Sequence, residues 1–444
     1  MNQQPQVKVG ILSAPSIRFT LTGLYEGPER ELMSGSFEAR ICDSGLSFNI
    51  GEKKYTSVEF HPTAYIGDTF ELEGVTIGVD FHWQRKENQR FRGALRIVVA
   101  NGKLTAINIV DVEDYLVSVI SSEMSSTSSL ALLRAHAVIS RSWVLSMISR
   151  SDKPLASATS RPDVRALNPG PSLISYRDRE DHLNFDVCAD DHCQRYQGGS
   201  RVSTPVAAGA VADTHGEVLT YRGELCDTRF SKCCGGVFER FETCWDDKPR
   251  PYLQARRDGV NPLDYPDLTR EEDARQWILG NPEAFCNTAD KRILSQVLNG
   301  YDRETPDFYS WTERLSREKI ARLLRDRLDR DLGDIIDLVP LTRGTSGRIR
   351  ELKIIGTNGE LTIGKELTIR RALSESHLYS SAFVVEAGKR DSDGIPDAFT
   401  LYGAGWGHGV GLCQIGAAIM GERGYTYDEI LRHYYIDADL TRLY

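Results

Sequence analysis

Four short segments of this 444-residue chain hold residue types that could do chemistry. The first is the serine-rich turn Ser121-Ser122-Glu123-Met124, between the apolar run 116–120 and a long Leu- and Ala-rich stretch. A carboxyl placed there can be fixed yet face a cleft, as a general acid requires. Glu before a helix is also a common dipole or capping partner. The second segment carries His182, Cys188, His192, Cys193 and Tyr196. Two thiols and an imidazole suit zinc, which favours tetrahedral N/S ligation, although the spacing is not that of a standard finger. A Cys188–Cys193 disulfide is the alternative, as are reduced thiols beside a surface histidine.

The third segment is Phe230-Ser231-Lys232-Cys233-Cys234-Gly235-Gly236. Its glycine pair lets a backbone approach a ligand closely, with Ser231 and Lys232 as donors, or else simply makes a tight hairpin turn. Cys233 and Cys234 are poor partners for each other, because neighbours in sequence rarely meet disulfide geometry. Cys226, Cys244 and Cys286 are candidates to partner them. The fourth is Gly405-Trp406-Gly407-His408-Gly409-Val410-Gly411-Leu412-Cys413-Gln414. A flat Trp406 face with polar His408 and Gln414 suits sugar recognition; a structural turn around a core Trp is the alternative. No strand–GxGxxG–helix context supports a dinucleotide loop.

The elements that must hold these residues follow from patterning. The first 110 residues read as short strands, at 7–12, 17–21, 46–50 and 75–81. A hairpin over 95–110 turns at Asn101-Gly102. Ser128 or Ser129 can cap a helix reaching about 149, on which Leu130, Leu133, Ala137 and Val144 form an apolar stripe and Arg134 and Arg141 share another face. Ser316 can cap a helix with a core-facing stripe of Ile320, Leu323, Leu324 and Leu328. A second β-rich stretch spans 335–383. A helix from about 412 to 423 stops at Gly424, and Thr426 and Glu429 have capping-box spacing.

These readings predict an α+β protein: a mixed, β-rich body, a long helix behind an active-site groove and a helical insertion. The expected boundaries are a β-rich region at 1–110, a catalytic core at 111–255, a helical insertion at 256–334, a β-rich region at 335–400 and a completing tail at 401–444. The glycine-rich tail is expected to fold back toward Glu123.

Composition sets the outer limits. With 54 Lys+Arg against 63 Asp+Glu the net charge is −9, which argues against a phosphate-backbone binder. No run of 18 apolar residues could span a bilayer. Nine cysteines, an odd number concentrated between 188 and 244, suggest a local metal site or bridge. The first residues lack a basic region followed by an apolar one, so a cytosolic protein and an exported one whose signal is missing both remain open.

Taken in order, the four segments resemble the SpoIID/LytB family. The resemblance rests on Val112-Glu113-Asp114-Tyr115, Ser122-Glu123-Met124, Ser140-Arg141, the stretch 188–198, the stretch 231–236 and the stretch 405–414. It implies a lytic transglycosylase that cleaves the MurNAc–GlcNAc bond of peptide-denuded glycan strands and leaves a 1,6-anhydroMurNAc end. Glu123 then matches the catalytic glutamate and Arg141 the functional arginine. Tyr196, Ser231, Lys232, Trp406, His408 and Gln414 would bind the glycan. His182, Cys188 and Cys193 match the ligands of a structural zinc. Ser125 stands where the family usually has proline, and Cys233-Cys234 where Ser or Asn is commoner. Cys188 and Cys193 lie one residue closer than the zinc pattern, which makes His192 a rival ligand.

The implied setting is the cell wall or periplasm, with any membrane anchor outside this sequence. The partners would be glycan strands and, in the family's other branch, a cell-wall amidase that a non-catalytic module enhances. No nucleic-acid partner is expected. A zinc-dependent wall hydrolase is disfavoured by the lack of an HExxH motif.

Overall fold

The computed structural model describes residues 4–42, 45–48, 53–78, 84–125, 127–151, 170, 172–176, 182–190, 192–201, 205–297 and 308–444. The fold is α+β, and the chain divides into two compact units. One comprises Met1–Pro154, Asp181–Asp227 and Asp439–Tyr444; the other comprises Leu155–Glu180 and Thr228–Ala438.

The first unit opens with nine strands: β1 (Gln6–Ala14), β2 (Ser16–Glu26), β3 (Leu32–Cys42), β4 (Gly45–Phe48), β5 (Ser57–Pro62), β6 (Thr69–Ile77), β7 (Arg85–Phe91), β8 (Ala94–Ala100) and β9 (Lys103–Asp111). Alternation puts Phe19, Leu21, Phe60, Phe70, Leu72 and Phe91 inside. The expected strands at 46–50 and 75–81 appear as β4 and the end of β6; residues 49–50 and 79–81 lie outside the described residues. The hairpin between β8 and β9 forms as expected. Asn101 and Gly102 have φ of 49° and 70°, the paired positive values of a type I′ turn. β1 lies beside β9 and pairs on its other edge, in parallel, with the short strand Val187–Cys188.

β9 runs directly into helix α1 (Val112–Glu123). Its apolar residues Val112, Tyr115, Leu116, Val119 and Ile120 follow helical spacing and are all buried. Glu113 and Asp114 in its first turn suit the positive end of the dipole. The N-cap position is Asp111, without a side-chain cap bond, and Asp114 instead pairs with Arg92 at 3.5 Å.

Helix α2 (Leu130–Ser151) starts where Ser129 accepts the Leu132 N–H at 3.3 Å, as the serine cap predicts. Its faces correct the expectation. Leu130 is exposed, whereas the helix is buried on every side from Ala135 to Met147, Arg141 included. Such a helix is central, and its serines need partners. Ser142 donates to Val138 O at 2.6 Å and accepts from the Leu219 N–H at 2.8 Å.

In the second unit a four-stranded sheet runs in the order Ser172–Ile174, Gly359–Gly364, Ile349–Gly356, Ile335–Arg343. A three-stranded sheet runs Ser310–Ser316, Ala398–Ala404, Phe383–Ala387. One hydrophobic cluster, including Leu315, Ile320, Leu324, Leu352, Ile354, Phe383 and Phe399, joins them. The helix Arg317–Leu328 carries the expected cap, Ser316 accepting from Lys319 N–H at 3.2 Å, and the expected inward Ile320, Leu323 and Leu324. The charged stretch 256–334 is not wholly helical. Its strand Ser310–Ser316 pairs with Ala398–Ala404 over seven residue pairs, so backbone bonding ties it to the tail. The helix Gln414–Glu422 and the capping box of Thr426 and Glu429 on Tyr427–Tyr434 form as expected.

Candidate functional site

Glu123 is the last residue of α1, and the chain turns extended at Met124. A carboxylate there faces the negative end of the helix dipole, which opposes its charge. Its Oε1 accepts the Arg195 backbone N–H at 3.3 Å, which favours the charge. The residue as a whole is buried, with 9% of its surface left exposed. Glu123 therefore closes a helix instead of capping the start of the next one.

Arg195 belongs to the loop that carries the cysteine–histidine stretch. The ligand atoms of His182, Cys188, His192 and Cys193 all lie within 4.8 Å of one another. His182 Nε2 is 3.4 Å from Cys193 Sγ, and His192 Nδ1 is 3.4 Å from Cys193 Sγ and 3.7 Å from Cys188 Sγ. A tetrahedral zinc with Zn–S near 2.3 Å and Zn–N near 2.0–2.1 Å would place sulfur and nitrogen about 3.6 Å apart. The four residues fit that ion, and His192 joins the set rather than displacing His182. The Cys188 thiol is pulled well below its usual value, mainly by its hydrogen bond with Cys193 and further by His182 and His192. Phe185 stacks on His182 and covers Gly10, where a Cβ would run into its ring. That contact seats the loop on β1.

Arg141 is placed elsewhere. Its Nε and Nη2 grip the Glu113 carboxylate at 2.8 and 2.6 Å, and Nη1 donates to Glu217 O at 3.0 Å. The side chain is fully buried. Glu113 also accepts from Tyr444 OH at 2.8 Å and from the Gly216 N–H at 3.4 Å. This is a bidentate, multiply bonded pair that ties α1 and α2 to Glu217–Tyr221 and the C-terminus. Arg141 is thereby taken up within the fold and has no exposed side-chain surface to offer a ligand. Tyr196 is likewise buried, its OH donating to Asn108 Oδ1 at 2.6 Å and its ring stacked on Tyr115. Its ring and hydroxyl pack the loop, and the residue borders a small cavity with Gln89, Cys188 and Arg195.

In the second unit the two glycine-rich segments lie side by side. Phe230 and Ser231 pair in parallel with Leu412 and Cys413, and Cys233 bridges to Trp406. Gly405, Gly407, Gly409 and Gly411 all have φ between 70° and 92°, so every second residue is left-handed. At Gly409 a Cβ would occupy the place of the Arg348 guanidinium, which donates to Cys234 O at 3.0 Å and Gly407 O at 3.1 Å. Trp406 is half-buried, stacked on Phe308 and edge-on to Tyr379. One of its two faces is taken by Phe308.

His408 is half-buried against Trp245, and its Nδ1 accepts the Val410 N–H at 3.0 Å. Burial, then Arg229, Arg348 and Arg370, hold its pKa well below the usual value, so it is a neutral imidazole. Lys232 Nζ donates to Val297 O at 2.7 Å. Ser231 and Gln414 are buried. Of the expected glycan-binding residues, Trp406, His408 and Lys232 therefore keep accessible surface, whereas Arg141, Tyr196, Ser231 and Gln414 are interior. Sequence reasoning missed Arg195, which acts through its backbone, and Arg348, whose only sequence trace is a charge between Gly347 and Ile349.

Comparison with known proteins gives two family matches. Residues 100–221 match the family described as Stage II sporulation protein, and residues 239–411 match a domain of unknown function, DUF8618. The chain is 28% identical over 244 residues to an amidase enhancer of Bacillus subtilis (strain 168), covering 52% of this chain and 32% of that protein. It is 23% identical over 386 residues to Stage II sporulation protein D of the same organism, covering 86% of this chain and 84% of the relative. It is 21% identical over 336 residues to Stage II sporulation protein D of Bacillus amyloliquefaciens, covering 76% of each. The chain thus spans about a third of the amidase enhancer's length and most of the sporulation proteins'.

Proposed function

Because the chain belongs to the SpoIID/LytB family, we propose that it acts on the bacterial cell wall as a peptidoglycan lytic transglycosylase, with Glu123 as its single acid and base. The substrate is a glycan strand freed of stem peptides, cut between MurNAc and GlcNAc. The observation that carries the reading is the seat of Glu123. The helix end opposes its charge, the Arg195 peptide N–H supports it, and the residue is buried to 9% exposure.

The chemistry needs one carboxyl. Protonated Glu123 gives its proton to the glycosidic oxygen as that bond breaks. Positive charge gathers at the MurNAc anomeric carbon. The sugar's own 6-hydroxyl then attacks that carbon, and Glu123, now a carboxylate, takes the hydroxyl proton. Glycosidases that use water need a second carboxylate. Here the nucleophile is already tethered, which supplies effective concentration without one. Glu113, the other carboxylate on α1, is committed to Arg141.

Zinc on His182, Cys188, His192 and Cys193 would supply a rigid cross-link, not Lewis acidity. That loop presents the Arg195 N–H to Glu123, so its order sets the position of the acid. The reading carries a wall or periplasmic location with it. No helix among the described residues is long and apolar enough to cross a membrane.

A second reading is favoured by the small exposure of Glu123 and by the relative named amidase enhancer: a non-catalytic module that binds wall or an amidase. The test is incubation of purified full-length protein with peptide-free glycan strands, followed by mass spectrometry of the ends. Anhydro ends from the wild type and none from Glu123→Gln support the transglycosylase. No anhydro product from the wild type, with increased turnover of an added amidase, establishes the enhancer instead.

A further inference from the structure

We propose that the second unit carries its own structural zinc site, formed by Cys234, Asp258, Cys286 and Cys413 beneath the two glycine-rich segments. The four side chains come from distant parts of the sequence, all are buried, and their ligand atoms lie within 4.8 Å of one another. Cys234 Sγ is 3.5 Å from Cys286 Sγ and 3.6 Å from Asp258 Oδ2. Tetrahedral zinc with Zn–S near 2.3 Å sets sulfurs about 3.8 Å apart, and sulfur and carboxylate oxygen about 3.5 Å apart. The sulfur–oxygen edge matches and the sulfur–sulfur edge is about 0.3 Å short of the tetrahedral figure, whereas a disulfide would bring the sulfurs to about 2.0 Å.

The surroundings are those of a ligand set. Asp258 is fully buried, and a carboxylate so placed needs a cation or full hydrogen bonding. Its Oδ1 accepts from Tyr434 OH at 2.8 Å and faces His433 Nε2 at 3.4 Å, which leaves Oδ2 aimed at the thiols. The Cys286 N–H donates to that Oδ2 at 3.2 Å, and the Cys234 N–H donates to Cys413 Sγ at 3.2 Å. Such outer bonds fix the orientation of first ligands. Gly416 is small for the same reason, since a Cβ there would overlap the Asp258 carboxylate. Three thiolates and a carboxylate around Zn²⁺ carry two net negative charges, and the buried Arg348 guanidinium sits beside them on Cys234 O.

Zinc takes these cysteines as thiolates, so loading displaces thiol protons to solvent. It joins Cys234 of the Gly235-Gly236 turn to Cys413 at the end of the Gly405–Gly411 segment, and both to Cys286. Cys233 is buried beside Cys234 in sequence but stands outside the set of four. The proposal concerns metal content alone and stands or falls independently of glycan cleavage.

The experiment counts zinc per chain in full-length protein purified with zinc and freed of loose metal by gel filtration. The Cys188→Ser/Cys193→Ser variant lacks the first cluster's thiols. It is expected to retain about one zinc per chain, and Cys286→Ser added to it is expected to lower that at least tenfold. Cys233→Ser in the same background should leave it unchanged. Should the Cys286→Ser protein fail to fold, cobalt(II) loaded into Cys188→Ser/Cys193→Ser gives the same information. Intense thiolate-to-cobalt absorption with tetrahedral d–d bands supports the site. A metal-free Cys188→Ser/Cys193→Ser protein, a Cys234–Cys286 disulfide found by peptide mapping, or zinc lost with Cys233 but kept without Cys286 would each overturn the assignment.

Discussion

Arg141 separates a structural from a substrate-binding reading, and the perturbation is its truncation to alanine. The wild-type guanidinium makes two bonds to Glu113, at 2.8 and 2.6 Å, and one each to Glu217 O at 3.0 Å and Val211 O at 3.4 Å, with none of its surface exposed. Arg141→Ala takes the donor from two main-chain carbonyls and leaves a carboxylate that is only 13% exposed, supported by Tyr444 OH and the Gly216 N–H. Removing one partner of a buried pair costs about 3–5 kcal/mol, because the other charge is left uncompensated. The two remaining donors to Glu113 place this case at the lower end, about 3 kcal/mol. With a urea slope of roughly 2–3 kcal/mol/M, the midpoint of the first unit falls by about 1–1.5 M. Trp143, buried two residues further along the same helix, reports the transition by fluorescence. Glu113→Ala should fall by a similar amount. The paired Glu113→Leu/Arg141→Met variant should recover most of the loss, since neither charge is then stranded. The reasoning fails if Arg141→Ala unfolds at the wild-type midpoint. It fails equally if activity collapses in Arg141→Lys while its stability is untouched, for then the residue serves the substrate.

Four further outcomes are expected. Glu123→Gln should leave the urea midpoint near wild type and lower anhydro-end formation by about 10³-fold or more, because one group serves as both acid and base; an active Glu123→Gln protein excludes the mechanism. Cys188→Ser/Cys193→Ser should hasten hydrogen exchange at the Arg195 amide, whose bond to Glu123 depends on the loop, and unchanged exchange would uncouple metal from acid. Gly409→Ala, at φ 74° and against Arg348, should destabilise the second unit by about 2 kcal/mol or more, read by pulse proteolysis. His408 stays neutral in the folded chain, whereas the unfolded chain takes up its proton as the pH falls through about 6.5. Its contribution is therefore complete above that pH and is lost below it, by up to about 1.4 kcal/mol per unit. Urea midpoints of His408→Gln between pH 5 and 8 should show a shallower decline than wild type, and equal slopes would refute the assignment.

Local signals were legible wherever one residue's chemistry decides the conformation. Asn101-Gly102 demands a left-handed turn, Ser129 and Ser316 cap helices, and Thr426 with Glu429 closes a capping box. Burial was less legible. Leu133, Ala137 and Val144 of the apolar stripe are buried as expected and only Leu130 is exposed, but the stripe could not show that α2 is enclosed on all sides from Ala135 to Met147, where no polar face sets a period. The order of residues also hid the partners. Arg141 meets Glu113, 28 positions away, and Asp258 meets Cys286 and Cys413 from segments whose spacing announces nothing. His192 looked like a competitor because sequence distance alone cannot show that both imidazoles reach the same thiols.

One departure from the family pattern acquires a cause on the proposed second metal. A turn that usually presents Ser or Asn before Gly-Gly here presents Cys233-Cys234, and the change falls on the residue whose Sγ faces Asp258 and Cys286. A serine at 234 would place a buried hydroxyl beside a buried carboxylate and could serve them with one hydrogen bond. A thiolate brings the charge and softness that Cys286 and Cys413 need in a third sulfur ligand. The consequence reaches the glycine-rich segment. Gly405 to Gly411 leaves much of the backbone in left-handed conformations and without side chains to pack, so it loses more entropy on ordering than ordinary chain. Arg348 holds that segment from one side by Gly407 O and Cys234 O, and Cys413 anchors its far end. A metal at Cys413 would therefore act on the order of the very loop that presents Trp406 and His408, through the backbone and not through any contact with a ligand.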